Sequence, residues 1–162
     1  MAQGLQTAGA DFLVMPCNTA HYYYPIINQA VDIPVINLID CVLEYVRREY
    51  PDCTNIGLLA SPATQITKLY EQIFNPAKIK VAYPDSRYQD LLFQVIKDVK
   101  KGAIGDDSRQ IYTEVCDHLL GNGLSLAIVA CTELGTLESS SSLNKIDAAD
   151  LLARKVIQLA KS

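Results

Sequence analysis

Residues 11–25, DFLVMPCNTAHYYYP, decide the fold: an apolar run leads to Cys17, and a cluster of polar side chains follows it. Residues 126–135, LAIVACTELG, repeat the same order around Cys131. In both stretches four apolar residues, FLVM or LAIV, precede proline or alanine and then the cysteine. Continuous apolarity is typical of a strand that is covered on both faces of a parallel sheet. The two stretches therefore predict two buried parallel strands that each end at a thiol.

Short runs rich in Val and Ile alternate with longer segments of helical period along the rest of the chain. The predicted strands are 11–15, 33–38, 55–60, 79–83 and 126–130. The predicted helices are 22–31, 39–50, 63–74, 87–100, 108–120 and 147–160, the last with Asp147 as its N-cap. Residues 136–146, which contain four consecutive serines, predict a loop. Strands and helices in alternation predict an α/β fold with a parallel sheet.

The composition argues against several classes of protein. The chain has 162 residues, a net charge of −4 and no apolar run of the roughly 18 residues that a membrane-spanning helix needs. It has no cluster of Lys and Arg with interleaved aromatic residues, and no basic segment followed by an apolar one, so neither a nucleic-acid surface nor a signal peptide is predicted. Five cysteines with no C-x-x-C, and only two histidines, argue against a disulfide framework or a zinc site. These features predict a cytoplasmic protein that binds neither membrane nor nucleic acid.

Polar side chains follow three of the predicted strands, at the end where open parallel sheets bind their ligands. These residues are Cys17 after the first strand, Ser61 and Thr64 after the third, and Cys131, Thr132 and Glu133 after the last. Three of the five predicted strands therefore end in groups that can take part in chemistry, and the two cysteine strands suggest a pair of thiols that face one cleft.

Two thiols that face one cleft suit proton transfer on both faces of one carbon atom. One thiolate removes a proton and the opposite thiol delivers one, which inverts the centre. A free thiol has a pKa of about 8.5, and a helix N-terminus lowers it while its N–H groups hold a substrate carboxylate. The alternative interpretation is that both cysteines pack in the core. Cys41 and Cys116 lie in predicted helices and are interpreted as packing residues.

The motifs MPCNTAH at residues 15–21 and ACTEL at residues 130–134 resemble the two cysteine motifs of the aspartate/glutamate racemase family. They are most similar to its aspartate racemase branch, which works without pyridoxal phosphate or metal. Glu133 favours that branch, because glutamate racemases usually carry histidine after the second Cys-Thr. The resemblance implies two pseudo-symmetric α/β lobes with a cleft between them. The implied first lobe comprises 1–50 and 145–162, and the second comprises 54–142.

The resemblance also implies roles for individual residues. Cys17 and Cys131 would be the two acid/base residues, and no metal or other cofactor is implied. The residues implied to bind substrate are Asn18 and Thr19 at the α-carboxylate, Thr132 opposite them, Thr64, and Lys100 or its neighbour Lys101 at the side-chain carboxylate. His21 belongs to the first motif, where a capping or packing role is weighed against proton transfer.

Family members open with a glycine-rich strand–helix–strand unit, whereas only ten residues precede Asp11 here, so the first lobe is expected to be incomplete. Two functions are predicted: a pyridoxal-phosphate-independent racemase of aspartate or glutamate, or a catalytically impaired, truncated homologue that keeps the fold and weak dicarboxylate binding. A maleate-isomerase-like function with Cys17 as a nucleophile ranks below both. An incomplete first lobe should expose the flank of strand 11–15 and apolar surface on helix 22–31, which predicts a dimer or larger assembly with residues 22–24 near the contact. Members of the family also tend to be dimers, so a homodimer is expected.

Overall fold

The computed structural model describes residues 1–161, in which strands and helices alternate along the chain. The strands are β1 (Leu13–Val14), β2 (Val35–Ile36), β3 (Asn55–Leu59), β4 (Lys80–Ala82), β5 (Leu126–Val129) and β6 (Asn144–Asp147). The α-helices are α1 (Ala2–Thr7), α2 (Tyr24–Gln29), α3 (Leu38–Glu49), α4 (Pro62–Thr67), α5 (Leu69–Phe74), α6 (Ser86–Lys100), α7 (Asp106–Gly121) and α8 (Ala148–Leu159). Each cysteine strand is followed by a short 3₁₀ helix, at Thr19–Tyr23 or Leu134–Thr136.

The strands form two parallel sheets, so the predicted α/β fold is confirmed. Strands β1 and β2 pair with Leu13 opposite Val35. The larger sheet has the order β4-β3-β5-β6, and each of its neighbouring pairs is parallel. Because parallel strands point the same way, the residues that follow β3 and β5 emerge side by side at one edge of this sheet.

The larger sheet is buried on both faces, which explains the continuous apolarity of its central strands. On one face Ile56, Leu58 and Ile128 pack beneath helices α3, α5 and α8. On the other face Leu59 and Val129 pack beneath α6 and α7. Burial of one such side chain stabilises the fold by about 1.5–3 kcal/mol. The two layers of helices hold this sheet rigidly and so define the edge at which its strands end.

Helices α3 and α8 each begin at an N-cap residue whose side chain accepts hydrogen bonds from two backbone N–H groups of the first turn. Asn37 Oδ1 accepts hydrogen bonds from the N–H groups of Ile39 and Asp40 at the start of α3. Asp147 Oδ1 does the same for α8, which confirms the predicted N-cap. A cap of this kind contributes about 1 kcal/mol. Both helices then pack against each other on the same face of the larger sheet.

The predicted helix 63–74 is wrong as a single element. Lys68 has φ of 52° and ψ of 35°, a left-handed conformation that interrupts the helical hydrogen bonds between α4 and α5. A non-glycine residue in this region is uncommon, and sequence periodicity carries no signal for it. The break turns α5 so that Leu69, Tyr70 and Phe74 face the core.

The predicted loop 136–146 is also partly wrong, because it runs into strand β6. Asn144 to Asp147 pair in parallel with Leu126 to Val129 of β5 at the edge of the larger sheet. Only Ile146 of these four residues is buried, so the segment lacks the apolar run that marks the central strands. An edge strand needs neighbours on one side only, and its sequence is correspondingly weak. Residues 145–147 thus belong to the larger sheet, while α8 packs on α3.

The cysteines are all free thiols. Cys116 is fully buried beside Tyr112 and packs in the core, as predicted, and burial raises the pKa of its thiol. Cys41 is half-buried, and burial likewise raises its pKa. Among residues 1–161, no helix has the length and apolarity needed to cross a membrane.

Candidate active site

Ser61 and Cys131 leave neighbouring strands at the same edge of the larger sheet. Leu59 of β3 is in register with Val129 of β5. The N–H of Ala130 donates to the carbonyl of Leu59 at 2.8 Å, which extends the pairing by one residue. Ser61 and Cys131 are each two residues beyond the registered pair, so the serine hydroxyl and the thiol start from adjacent positions.

A cluster of hydroxyl groups joins this edge to the loop that follows Cys17. Thr19 Oγ1 lies 3.1 Å from Ser61 Oγ and 2.9 Å from Thr64 Oγ1, and the latter two atoms are 3.4 Å apart. Thr64 is fully buried at the start of α4. The structure therefore brings together two predicted substrate-binding residues, Thr19 and Thr64, and adds Ser61, which follows the third predicted strand but was not predicted to bind substrate.

Asn18 is buried beside the same cluster. Its Oδ1 accepts a hydrogen bond from the hydroxyl of Tyr70 at 2.6 Å. Burial holds the pKa of Tyr70 well above its usual value, so this hydroxyl remains a donor. Asn18 Nδ2 has no hydrogen-bond partner among the described residues, and an unsatisfied buried donor costs about 1–3 kcal/mol. The amide is thus oriented by Tyr70, and its Nδ2 can donate a hydrogen bond to an acceptor such as a carboxylate.

His21 fixes the backbone of Cys17. Its Nε2 accepts the N–H of Leu38 at 3.0 Å, so in the neutral ring Nδ1 carries the proton and donates to the carbonyl of Cys17 at 2.9 Å. The ring is buried, and burial lowers its pKa despite the opposing effects of Cys17 and Asp40. Since both nitrogens are engaged with backbone groups, the geometry favours the capping role over proton transfer.

The side chain of Cys17 itself is exposed. Cys17 lies two residues before Thr19, and through Thr19 its loop is tied to Ser61 and hence to the edge where Cys131 emerges. No hydrogen bond in residues 1–161 joins the two thiols to each other. The hydroxyl cluster therefore ties the Cys17 loop to the end of β3, and the strand register places the Cys131 loop beside that end.

Cys131 lies against a carboxylate. Its Sγ donates to Glu133 Oε2 at 2.9 Å, and the hydroxyl of Thr132 donates to the same oxygen at 3.2 Å. Lys100 Nζ, at the end of α6, lies 3.7 Å from Glu133 Oε1. Glu133 thus brings together three predicted site residues: Lys100, Cys131 and Thr132. It is Lys100, of the two candidate lysines, that makes this ion pair.

The expectation that a helix start lowers the pKa of the thiol is wrong for Cys131. Burial, followed by the hydrogen bond to Glu133 and its negative charge, raises the pKa of Cys131 to about 12. The 3₁₀ helix that follows has only three residues, so its N-terminus lowers the pKa little. The Glu133 carboxylate, 2.9 Å from the sulfur, acts in the opposite direction. Burial alone would raise the pKa of Glu133, but the hydrogen bond from Cys131 and the charge of Lys100 lower it.

Three residues of these clusters, Ser61, Tyr70 and Glu133, were not predicted to have a catalytic or substrate-binding role. Tyr70 lies on an apolar helical stripe, and no sequence pattern distinguishes it from a packing residue. Glu133 directly follows Cys-Thr, and that position next to a thiol is a signal that could have placed it in the site.

Comparison with known proteins finds amino-acid racemases both by sequence and by structure. The sequence profile of the Asp/Glu/hydantoin racemase family matches residues 1–156. The broad-specificity amino-acid racemase RacX of Bacillus subtilis is 25% identical over 159 residues, which are 94% of this chain and 66% of that protein. The chain thus spans slightly under two thirds of the length of this relative.

Solved structures of similar proteins superpose on almost all of the chain. A Yersinia pestis protein assigned to the Asp/Glu racemases has a TM-score of 0.86 at 25% identity, covering 99% of this chain and 71% of that protein. The aspartate racemase of Picrophilus torridus has a TM-score of 0.79 at 24% identity, covering 99% of this chain and 66% of that protein. With the profile match over residues 1–156, these findings show that the chain belongs to the Asp/Glu/hydantoin racemase family.

Proposed function

We propose that the protein is an amino-acid racemase that acts on aspartate or glutamate with Cys17 and Cys131 as its two acid/base residues. The observation that carries the proposal is the polar edge of the larger sheet. There Cys131 emerges beside Ser61, and the Ser61 hydroxyl contacts Thr19 in the loop of Cys17. Family membership supports the reaction class. The chemistry uses protein thiols alone, so neither pyridoxal phosphate nor metal is required.

In this mechanism one thiolate removes the α-hydrogen of the amino acid as a proton, breaking the C–H bond and forming an S–H bond. The thiol on the opposite face donates its proton to the α-carbon, so an S–H bond breaks and a new C–H bond forms with inverted configuration. Hydrogen-bond donors around the α-carboxylate stabilise the carbanion-like transition state. The donors we assign to it are the hydroxyls of Thr19 and Thr64 and the unpartnered Nδ2 of Asn18, while the single proton of the Thr132 hydroxyl is donated to Glu133.

The side-chain carboxylate of the substrate is assigned to Lys100. This lysine is largely exposed, and its ammonium group is only partly neutralised by Glu133 at 3.7 Å. A substrate carboxylate could therefore share it. A homodimer in the cytoplasm is the proposed setting, with the exposed rings of Tyr22 and Tyr23 near the contact.

The decisive experiment is incubation of the protein with L-aspartate, and separately L-glutamate, in D₂O, followed by chiral analysis and detection of α-deuterium. A two-base racemase puts deuterium into the product enantiomer, while the substrate pool gains little in initial turnover. Equal initial labelling of both enantiomers would indicate a single base and contradict the two-thiol mechanism. Cys41→Ala is the matched control, because this half-buried thiol lies outside both clusters.

A second candidate function is weak dicarboxylate binding without turnover. It is favoured by the exposed side chain of Cys17 and by the raised pKa of Cys131, neither of which suits an efficient acid/base pair. Titration with L-aspartate, followed by NMR of the backbone amides of residues 17–19, distinguishes the two functions. Saturable shifts with no α-deuterium incorporation would support binding alone.

A further inference from the structure

Glu133 is the charged group that contacts the thiol of Cys131. One oxygen, Oε2, accepts hydrogen bonds from Cys131 Sγ at 2.9 Å and from the hydroxyl of Thr132 at 3.2 Å. The other oxygen, Oε1, lies 3.7 Å from the ammonium of Lys100. The Glu133 side chain is only 22% exposed, so water screens its contact with the thiol less than it screens the ion pair with the largely exposed Lys100.

The protonation states follow from this arrangement. An ionised carboxylate can only accept hydrogen bonds, so the contact with Oε2 requires a proton on the sulfur. A thiolate at that distance would place two negative charges side by side in a partly buried site. Lys100 favours the ionised form of Glu133 and thereby maintains the contact.

We propose that Glu133 keeps Cys131 protonated in the free protein, and so makes Cys131 the proton-donating thiol and Cys17 the thiol that removes the α-hydrogen. The catalytic consequence deepens the racemase function proposed above and rests on it. The protonation of Cys131 is a separate property of this chain, and burial and the charge of Glu133 both raise the pKa of its thiol.

The other charged groups near this loop do not compete with Glu133 for the thiol. Lys100 on α6 is the cation that faces the pair, and it opposes the effect of Glu133 on the sulfur. Asp147 on β6 lies beside Gly135 of the 3₁₀ helix that follows Cys131. Its Oδ1 accepts hydrogen bonds from the two N–H groups that start α8. Its carboxylate is therefore committed to the helix cap.

With this assignment the two directions of racemisation start from different protonation states of the two thiols. When Cys17 removes the proton, Cys131 donates its own and is left as a thiolate beside Glu133. Water then returns a proton to Cys131 and accepts one from Cys17, which restores the starting state without net change. The opposite enantiomer requires the state with Cys131 ionised, which Glu133 disfavours.

The test is pulsed alkylation with iodoacetamide from about pH 6 to about pH 10, read out for each cysteine-containing peptide by mass spectrometry, because only the thiolate reacts. In the unmodified protein the rate at Cys131 is expected to rise about tenfold per pH unit without levelling off. In Glu133→Gln it is expected to be at least about tenfold faster at pH 8, because the charge and the hydrogen bond of Glu133 are lost while burial remains. The rate at Cys17 should not change.

Glu138→Gln is the matched control, since it removes the same charge from an exposed position in the same loop and should leave the Cys131 profile unchanged. A Glu133→Gln rate within about twofold of the unmodified protein would overturn the proposal. So would a Cys131 profile in the unmodified protein that levels off near the ordinary thiol pKa of about 8.5, a result that needs no variant. Absence of racemisation would contradict the proposed function and leave the alkylation result standing.

Discussion

The loop after β1 and the loop after β5 carry closely similar sequences, CNT and CTE, at the ends of parallel strands, yet they surround their thiols differently. In the first loop His21 bonds the backbone carbonyl of Cys17 and Tyr70 bonds the side-chain amide of Asn18, and the thiol is exposed. In the second loop the thiol itself is held, by the carboxylate of Glu133. A repeated motif therefore places two thiols at the ends of parallel strands, while burial and the Glu133 carboxylate raise the pKa of Cys131.

The largest expected effect comes from removing either thiol. Cys17→Ser and Cys131→Ser should each lower kcat/KM for racemisation by about 10³-fold or more, because each face of the α-carbon loses its acid/base group and a serine hydroxyl is far less acidic. Steady-state chiral assays with L- and D-aspartate measure this. Cys116→Ala, a truncation in the core, should instead lower the free energy of unfolding by about 1 kcal/mol with kcat nearly unchanged. Racemisation that survives either serine variant would remove that thiol from the mechanism.

The next effect concerns His21, which bonds the carbonyl of Cys17 and the N–H of Leu38. His21→Leu leaves the N–H of Leu38 unpaired in the interior, which should cost about 1–3 kcal/mol of stability. The folded-state pKa of His21 lies below its ordinary value of 6.5, so the unfolded chain binds the proton more tightly. The stability that His21 contributes is thus complete above pH 6.5 and is lost as the pH falls below it.

Urea unfolding at several pH values from about 5 to about 8 measures this contribution. The His21→Leu variant should lack the part of the acid-induced loss that comes from His21, and its profile should be flatter than that of the unmodified protein. His118→Gln is the matched control for the second histidine, which stacks on Tyr88 and lies 3.5 Å from Asp85. Equal slopes for His21→Leu and the unmodified protein would show that His21 is not the titrating group.

The smallest expected effect concerns the hydrogen bond between Thr64 at the start of α4 and Thr19 in the Cys17 loop. Thr64→Val keeps the buried shape but removes the hydroxyl that bonds Thr19, which should cost about 1 kcal/mol of stability. If Thr64 also binds substrate, KM for aspartate should rise more than kcat falls. Thr67→Val is the control, because its hydroxyl bonds only backbone carbonyls of α4. A KM that matches the control would make Thr64 a purely structural residue.

The sequence predicted the central strands well because their burial on both faces leaves a continuous apolar run, as in Ile56–Leu59 and Leu126–Val129. It failed at β6, where only Ile146 is buried, and at Lys68, where the backbone takes a left-handed conformation. Edge strands and isolated backbone reversals depend on neighbours that are distant in the chain, so a local pattern does not encode them.

By itself the sequence determined the α/β class, the two cysteine motifs and the expectation that they meet at the ends of parallel strands, because these features follow from local apolarity and from residue order. Only the tertiary structure decided which groups distant in the chain surround the two cysteine loops. Tyr70 reaches Asn18 across 52 positions and Thr64 reaches Thr19 across 45, while Lys100 comes to Glu133 from the end of another helix. Charges and burial shift the pKa of a thiol through space, and the order of residues in the chain does not give those distances.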